Sequence, residues 1–534
     1  MDRHFQVVIV GGGPVGVALA VELGLRGIAC GLVERKLGVG NIPKGQNLTH
    51  RTLEHFYFWG IADDLRARRL MPPGYPIGGI TAYGSLSSPY WFVPPRREVV
   101  APYYSQANER LPQYEMEKVL RAKMATLPSV TAQMGWSATA ITQDADGVAV
   151  EVAEEGGDAR ERWTADYAVG CDGARSLVRS TLGIPSSGSD FDQLMMLAVF
   201  RSRALHEALQ RFPPASTYLV MNPALKGYWQ FFGRIDVGEG FFFHAPVPRS
   251  AAKDPDFDFR GLLRQVTGFD FALEFDHVGF WDLRVAVAER YQDRRIFIAG
   301  DAAHSHPPYG GFGLNSGLED VTNLGWKLAA TLQGWGSERL LASYGEERRP
   351  IFHDTAEDFI AGGIRADAEF LARYSPERDK AEFEAAWEGR KGGLGDRFRS
   401  YEPHYEGSPV VLGPPGGKSS AHGVHGFAAK AGHHLPPAPL SSGKTVFEAL
   451  GPGFTLLAFG VDEGVVKDFA EAARRLTIPL TVVRDSRDGG REAYGAGLIL
   501  VRPDQYVVWC GDAVPGTAET VLSTAIGRVR RWLP

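Results

Sequence analysis

FQVVIVGGGPVGVALAVELGLRGIACGLVE, residues 5–34, opens on an apolar run rich in β-branched side chains, Val7 to Val10. It breaks into Gly11, Gly13 and Gly16, passes into a helix-like stretch, and returns to a short apolar strand ending at Glu34. Strand, glycine turn, helix and strand make a βαβ unit with a dinucleotide fingerprint inside it. Gly11 permits the tight turn off the strand, Gly13 lets the backbone approach a pyrophosphate, and Gly16 lets helix and strand pack closely. Pro14 and Val15 open the helix, whose free N–H groups face the phosphates. Glu34, eighteen residues after Gly16, is placed to accept hydrogen bonds from ribose hydroxyls, where a 2′-phosphate would be repelled. A glycine turn without a ligand satisfies the bare motif, but strand, turn, helix and terminal acid together favour a ligand. NAD and FAD fit this stretch equally.

With 534 residues the chain is too long for one hydrophobic core, and two or three domains are expected. Its 44% hydrophobic and 22% charged composition is that of a soluble protein, and no stretch is apolar for long enough to span a bilayer. With 57 basic and 63 acidic residues the net charge is −6, which leaves no overall electrostatic footprint for nucleic acid or an anionic membrane. The three cysteines, Cys30, Cys171 and Cys510, form no metal or redox spacing, so free thiols in a reducing cytoplasm are expected, with no metal site.

After Glu34 a polar glycine-containing loop leads to a helix starting near Thr49, with Thr52, Leu53, Phe56 and Tyr57 on its apolar face and Gly60 at its end. Residues 70–103 are rich in Pro, Gly and aromatics and suggest short strands of another layer. LPQYEMEKVLRAKMATLP from Leu111 reads as a helix with Met116, Val119, Leu120 and Met124 inward. Strands near 137–152 flank the hairpin turn DADG, and residues 165–184 repeat the order strand, glycine turn, helix. From 186 to 285 strands joined by Asn, Pro and Gly turns carry dense aromatics. Residues 294–334 return to strand, glycine-rich loop and long helix. Periodicity is lost at 390–443, as in a linker or irregular arm, and the last ninety or so residues alternate strands with one clear helix.

Three pieces, the opening turn, GCDGARSLVR (170–179) and IAGDAAHSHPPYGGFGLNSGLEDVTNLGWKLA (298–329), resemble in order and spacing the single-component FAD aromatic hydroxylases typified by para-hydroxybenzoate and phenol hydroxylases. SYGEERRPI, 343–351, is also similar to that family. The resemblance implies an α/β and α+β protein. Residues 1–74, 111–185 and 286–390 would form a discontinuous Rossmann-like FAD-binding domain, 75–110 and 186–285 a mixed β-sheet substrate domain, and 391–534 a linker and a small thioredoxin-like α/β domain. GPGFTLL and LVRPDQYVVW carry the last likeness; with Cys510 as its only cysteine that domain cannot exchange disulfides, which leaves packing or a homodimer contact.

By resemblance, Asp301 after Gly300 holds the ribityl chain, although an N-capping aspartate would read the same way. The loop HPPYGGFGLNSG, shaped by Pro307, Pro308, Gly310, Gly311 and Gly313 and opening a helix at Leu314 and Asn315, lays backbone N–H groups against the flavin pyrimidine edge. Asp172 and Arg175 match a segment that serves FAD and nicotinamide, with a plain helix cap as the alternative for Asp172. Arg51 and Gln113 match contacts to the FAD phosphate or ribityl chain, and Arg35 follows Glu34 in the cofactor set. Lys44 stands where relatives commonly carry an arginine. Gln46 replaces an aspartate thought to help deprotonate phenol, and an amide cannot take that proton.

The family reaction would then be hydroxylation of a phenolic or related aromatic by NADPH or NADH and O2 through a flavin C4a-hydroperoxide. That needs a dry, flat pocket, which Tyr218, Tyr228, Trp229, Phe231, Phe232, Phe241 and Phe243 could wall, with at least half of them core by strand alternation. A phenol of pKa ~10 needs a base or a positive field. His244 is the first candidate, with His306 and His50 behind it, and His304 bracing the loop; Pro307, Gln46 and Tyr228 complete the candidate catalytic set. A halogenase or reductase on the same fold is an alternative, weakened by the absence of a W-x-W-x-I-P segment. A non-catalytic binding scaffold is another, opposed by the intact fingerprint and Asp301.

Overall fold

The computed structural model describes residues 2–95, 97–188 and 190–528. The strand Asp2–Val10 lies inside an eight-stranded sheet, paired in parallel with Cys30–Glu34 on one side and Arg160–Gly170 on the other. Val130–Met134 and Ile296–Ile298 extend the parallel part outward. Val7, Val8 and Ile9 are fully buried in succession, the pattern of a strand covered on both faces. The register sets Val10 beside both Val33 and Gly170, so the turns after Val10 and Gly170 leave the same sheet edge side by side. Ligands of open α/β sheets bind outside such carboxyl ends.

Helices Pro14–Leu25 and Phe312–Leu332 cover the sheet, and both are buried along nearly their whole length. Thr49 caps the helix His50–Phe58 by accepting from the Thr52 N–H, and the helix after Leu111 spans Gln113–Met124 with Met116, Val119, Leu120 and Met124 buried. In the DADG turn, Asp144 accepts from the N–H groups of Asp146 and Gly147.

A seven-stranded sheet forms the second layer, in the order Glu274–Arg284, Asp190–Arg201, Gly240–Val247, Trp229–Arg234, Thr217–Met221, Gly79–Tyr83 and Trp91–Phe92. Two distant segments of chain build it, joined where Thr217–Met221 runs parallel to Gly79–Tyr83. Strand alternation sorts its aromatics. Tyr218, Phe232, Phe241 and Phe243 belong to the core on the back face, while Phe242 and Phe231 pack with Leu197, Val199 and Ile42 on the front.

The stretch from 390 is more regular than its composition suggests. The helix Lys380–Ser400 runs through it because buried Phe383 and Trp387, one turn apart, anchor its first half, and Arg397 packs over Gly363 in the second. Beyond it Tyr401–Tyr405 pairs with Ser419–His422. The C-terminal domain is a four-stranded sheet, Leu480–Asp485, Phe454–Phe459, Leu498–Val501 and Val507–Gly511, with helices Glu463–Arg475 and Ala518–Ala525. Its core is continuous with Trp326 in the helix Phe312–Leu332, with Leu340 in the helix Glu338–Asp354, and with Trp335 in the turn between them. Fully buried Glu347 bonds Lys327 at 2.6 Å and Arg502 at 2.7 Å across this junction. All three cysteines are free, and among the described residues no helix is long and apolar enough to cross a membrane.

Candidate active site

At the first turn, Gly11 has φ +103°, and a Cβ there would lie 2.5 Å from the Cys171 carbonyl oxygen. A Cβ on Gly16 would meet the Gly11 oxygen at 1.9 Å, whereas one on Gly13 would have no atom within 4 Å. Two glycines are therefore required by the fold itself, and the third borders open space where the backbone is free to meet a ligand. Glu34 accepts from the Gly12 N–H at 2.7 Å and from the Lys36 N–H at 2.8 Å, which fixes its carboxylate beside the turn. Arg121 reaches the same place, donating to the Gly12 carbonyl at 3.3 Å; Arg35 stays exposed. Val15 at the helix start packs against Gly300, where a Cβ would come within 2.9 Å of it. In this way the helix Pro14–Leu25 seats the opening turn against the turn near 300.

That second turn is braced from below. Buried Asp320 accepts from the Gly300 N–H at 3.1 Å, lies 2.6 Å from His304 Nε2, and takes the Arg348 Nε–H at 2.8 Å. Burial alone would raise the Asp320 pKa, but His304 and Arg348 together hold it below its ordinary value. Asp301, one residue on from Gly300, lines a cleft with Ala174, Arg179, His304 and Ser305. Its carboxyl is accessible yet surrounded by protein, which raises its pKa against the opposing pull of His304 and Lys44. Lys44 is thus near Asp301, at the exposed rim. Asp172 accepts from Ser176 Oγ at 2.6 Å and from the Val178 N–H at 3.1 Å, so it braces the start of the helix Leu177–Thr181 while Arg175 remains exposed beside it.

The glycine-rich loop follows. Pro307 is buried, Pro308 enters a short turn, and Gly310 and Gly311 adopt left-handed conformations, φ +75° and +67°, immediately before the helix Phe312–Leu332. Asn315 ties this helix start to the segment before the second helix. Its oxygen accepts from the Thr49 N–H at 3.0 Å and Thr52 Oγ1 at 2.6 Å, and its amide donates to the Asn47 and Gly311 carbonyls. Leu314 and Gln113 both approach Gly45, and Gly313 faces His306. Gly45, Gln113, Leu314, Asn315 and Gly311 are therefore brought together.

The front face of the aromatic sheet meets this assembly. His244 stacks on Phe231 at 4.9 Å, with Phe242 at 5.7 Å and Trp281 at 6.2 Å from its ring. Burial lowers its pKa to about 4, against a hydrogen bond to the Met196 backbone that raises it, and its Nδ1 has no partner. Tyr309 accepts the Trp229 N–H and packs on its indole, with half-buried Tyr228 beside them. Gln46 accepts from Arg110 at 3.1 Å and keeps a buried, unpartnered Nε2. Arg110 also donates to Asn47 and to the Arg234 carbonyl, and lies 5.8 Å from the Phe242 ring. Burial lowers its pKa to about 9, and no carboxylate among the described residues pairs with it.

Residues 4–358 match the family described as FAD binding domain, and 428–532 the family described as aromatic-ring hydroxylase, C-terminal. The chain belongs to the FAD-dependent aromatic-ring hydroxylases. It is similar to the FAD-dependent monooxygenase apdD of Emericella nidulans, 30% identical over 573 residues that cover 98% of this chain and 90% of the relative. It is equally similar to 12-dehydrotetracycline 5-monooxygenase/anhydrotetracycline 6-monooxygenase of Streptomyces rimosus, 30% identical over 542 residues covering 99% of each chain. The rebeccamycin biosynthetic enzyme RebC with reduced flavin superposes with a TM-score of 0.84 at 26% identity, covering 99% of this chain and 100% of that one. The hydroxylase is an enzyme with FAD as its cofactor, which sets aside the binding-scaffold reading.

The residues present fit FAD. Open space at Gly13 suits a pyrophosphate, Glu34 and Asp301 offer carboxylates to the two sugar-like ends, and the Gly310–Gly311 pair leads into a helix N-terminus. Arg51 does not join them. Its guanidinium donates to Glu319, Glu54, Gln505 and the Asp504 carbonyl, linking the second helix to the C-terminal domain. Arg110, Phe242, Arg121 and Asp320 were not singled out from sequence. Phe242 sits between two aromatics that were named, so only the strand register could select it. Arg110 belongs to a two-residue strand pairing with Asn47–Leu48, a contact between segments far apart in the chain.

Proposed function

We propose that the enzyme hydroxylates a phenolic ring that binds as its phenolate against Phe231, Phe242 and His244, with Arg110 as the counter-charge. The observation that carries this reading is the buried Arg110 guanidinium, which pairs with no carboxylate among the described residues, beside that aromatic face. Bound FAD, reduced by NADPH or NADH, would supply the chemistry that transfers one oxygen atom of O2 to the ring, the other leaving as water. Glu34, Asp301, Lys44, Gln113 and the backbone of Gly13, Gly311 and Gly313 would bind and orient it. Phe231, Phe242 and Trp281 exclude water from the reacting ring.

Arg110 stays charged at neutral pH with its pKa at about 9. A unit charge about 5 Å from the phenol oxygen, at an effective dielectric of about 20, favours the phenolate by about 3 kcal/mol, or about two pKa units. Gln46 positions Arg110 and directs its free amide donor to the same oxygen. His244, neutral because burial holds its pKa near 4, orients the substrate through Nδ1 and does not store its proton. Tyr228 and Pro307 border the ring and the loop. The free thiols support a reducing compartment such as the cytoplasm.

The test is a panel of single-ring and fused-ring phenols with the FAD-loaded enzyme, following NAD(P)H oxidation and product mass; the tetracycline monooxygenase among the relatives makes fused rings the first to try. Arg110→Met is expected to lower hydroxylation by about 100-fold and to shift its pH profile upward by about two units, with FAD retained. An unchanged profile and rate in Arg110→Met refute the role.

A further inference from the structure

The arm between the long helix Lys380–Ser400 and the C-terminal domain carries YEPHYEG, residues 401–407, and, further on, His433 and His434. Glu402 and His404 both turn inward from the strand Tyr401–Tyr405, 6% and 8% exposed, and His433 faces them at 8%. His404, Glu406 and His433 each present a ligand-type atom, and these atoms lie within 4.8 Å of one another. Both imidazoles are already held from behind. His404 Nε2 bonds the His422 carbonyl at 2.9 Å, so Nε2 carries the hydrogen and Nδ1 the lone pair; that Nδ1 is buried without a partner. His433 Nδ1 bonds the Glu402 carboxylate at 2.8 and 3.0 Å, and its Nε2 lies 2.9 Å from Glu406 Oε1, so without a metal Nε2 carries the proton toward Glu406 that a bound ion would displace. A carboxylate or carbonyl behind each histidine is the arrangement that orients metal-ligating imidazoles and fixes their tautomer.

We propose that His404, Glu406 and His433 bind one divalent transition-metal ion of the zinc class. A proton on His433 Nε2 would satisfy Glu406 but would leave the His404 Nδ1 buried and unpaired. A metal ion takes lone pairs from all three residues. Two imidazoles and a carboxylate suit zinc, and the fourth position goes to water. Tetrahedral ligation at metal–nitrogen distances of about 2.0 Å brings ligand atoms to about 3.3 Å from one another. The His404 and His433 rings, now stacked at 4.5 Å and 11°, must tilt apart to close on the ion. The ion would pin the arm to the loop entering the C-terminal domain, beside the Tyr405 N–H bond to the Gly432 carbonyl.

The experiment uses tag-free, FAD-loaded full-length enzyme, stripped with EDTA, re-equilibrated with zinc chloride and desalted before elemental analysis, with calorimetric titration in parallel. One zinc per chain and a raised Tm are expected for the wild type. His404→Phe, which keeps the ring stack, is expected to lose that zinc. Glu402→Gln, which changes only the support behind His433, is expected to weaken binding by about 10- to 100-fold. Wild-type enzyme that retains no zinc, or His404→Phe that binds it with unchanged stoichiometry and affinity, overturns the proposal. Should His404→Phe fail to fold, Glu406→Gln on the more open side of the cluster decides in the same way.

Discussion

Gly13→Ala separates a glycine kept for a ligand from one kept for the fold. Gly13 has φ −69° and ψ −177°, which alanine adopts without strain, and no atom lies within 4 Å of the added methyl. Gly13 is also the N-cap of its helix, where alanine costs roughly 0.5–1 kcal/mol relative to good caps; the smaller unfolded-state entropy of alanine offsets roughly 0.4–1 kcal/mol. The apoprotein should therefore keep its stability to within about 1 kcal/mol. FAD should not bind so well, because the methyl occupies the approach of the pyrophosphate to the backbone N–H groups. Losing one charge-assisted hydrogen bond, about 1.5–3 kcal/mol, weakens binding by about 10- to 150-fold. Gly16→Ala behaves differently, since its methyl would lie 1.9 Å from the Gly11 oxygen, so the apoprotein itself loses stability. Flavin-fluorescence titration gives the affinity, and urea unfolding of the apoproteins gives the stability. An unchanged FAD affinity in Gly13→Ala, or an apoprotein as damaged as Gly16→Ala, refutes the reasoning.

Asp301→Ala is expected to weaken FAD binding by about 10- to 100-fold while leaving apoprotein stability level or slightly higher, since the carboxyl is held in a crowded cleft that disfavours its charge. Unchanged FAD affinity on fluorescence titration counts against its place at the cofactor. His50 and His244 are held neutral, chiefly by burial, with pKa values of about 4 against 6.5 unfolded. The unfolded chain therefore binds more protons between those values, so the stability is present above pH 6.5 and is lost as pH falls toward 4, by up to about 1.4 kcal/mol per pH unit for each. Urea midpoints that stay level from about pH 7 to about pH 5 contradict this.

Much of the fold is legible because its signals are local. The run Val7 to Val10, the three glycines and the terminal Glu34 follow one another within a single unit, and backbone geometry leaves them few other readings. The helix from Gln113 shows equally well, through Met116, Val119, Leu120 and Met124 at helical spacing. The front of the aromatic sheet is harder to read. Phe241, Phe242 and Phe243 are identical in kind, and only the pairing of Gly240–Val247 with Asp190–Arg201 decides which of them faces the site. Arg110 is less legible still, because an arginine is informative here only for pairing with no acid among the described residues, and its surroundings come from residues 46, 47, 234 and 242. The regularity of the helix to Ser400 rests likewise on packing that its composition does not reveal.

Arg51 shows how tertiary contacts can engage a residue that the family resemblance assigns to the cofactor. Its donors go to Glu319, Glu54, Gln505 and the Asp504 carbonyl, and Glu54 is held in turn by His434 and by the Ser105 N–H. The arginine therefore joins the helix that carries Thr49 and Thr52, partners of Asn315, to the C-terminal domain. Arg51→Met leaves two buried carboxylates short of a cation, a change that costs about 3–5 kcal/mol when a buried pair is broken. A phosphate contact predicts the opposite ranking, a large loss of FAD affinity and little loss of apoprotein stability. The contacts observed predict a large stability loss with an affinity change of less than about tenfold at a temperature where the variant remains folded. Urea unfolding of the apoprotein and flavin titration of the same sample decide between them. A stable Arg51→Met that no longer holds FAD returns the residue to the cofactor and removes the C-terminal domain from the support of the flavin loop.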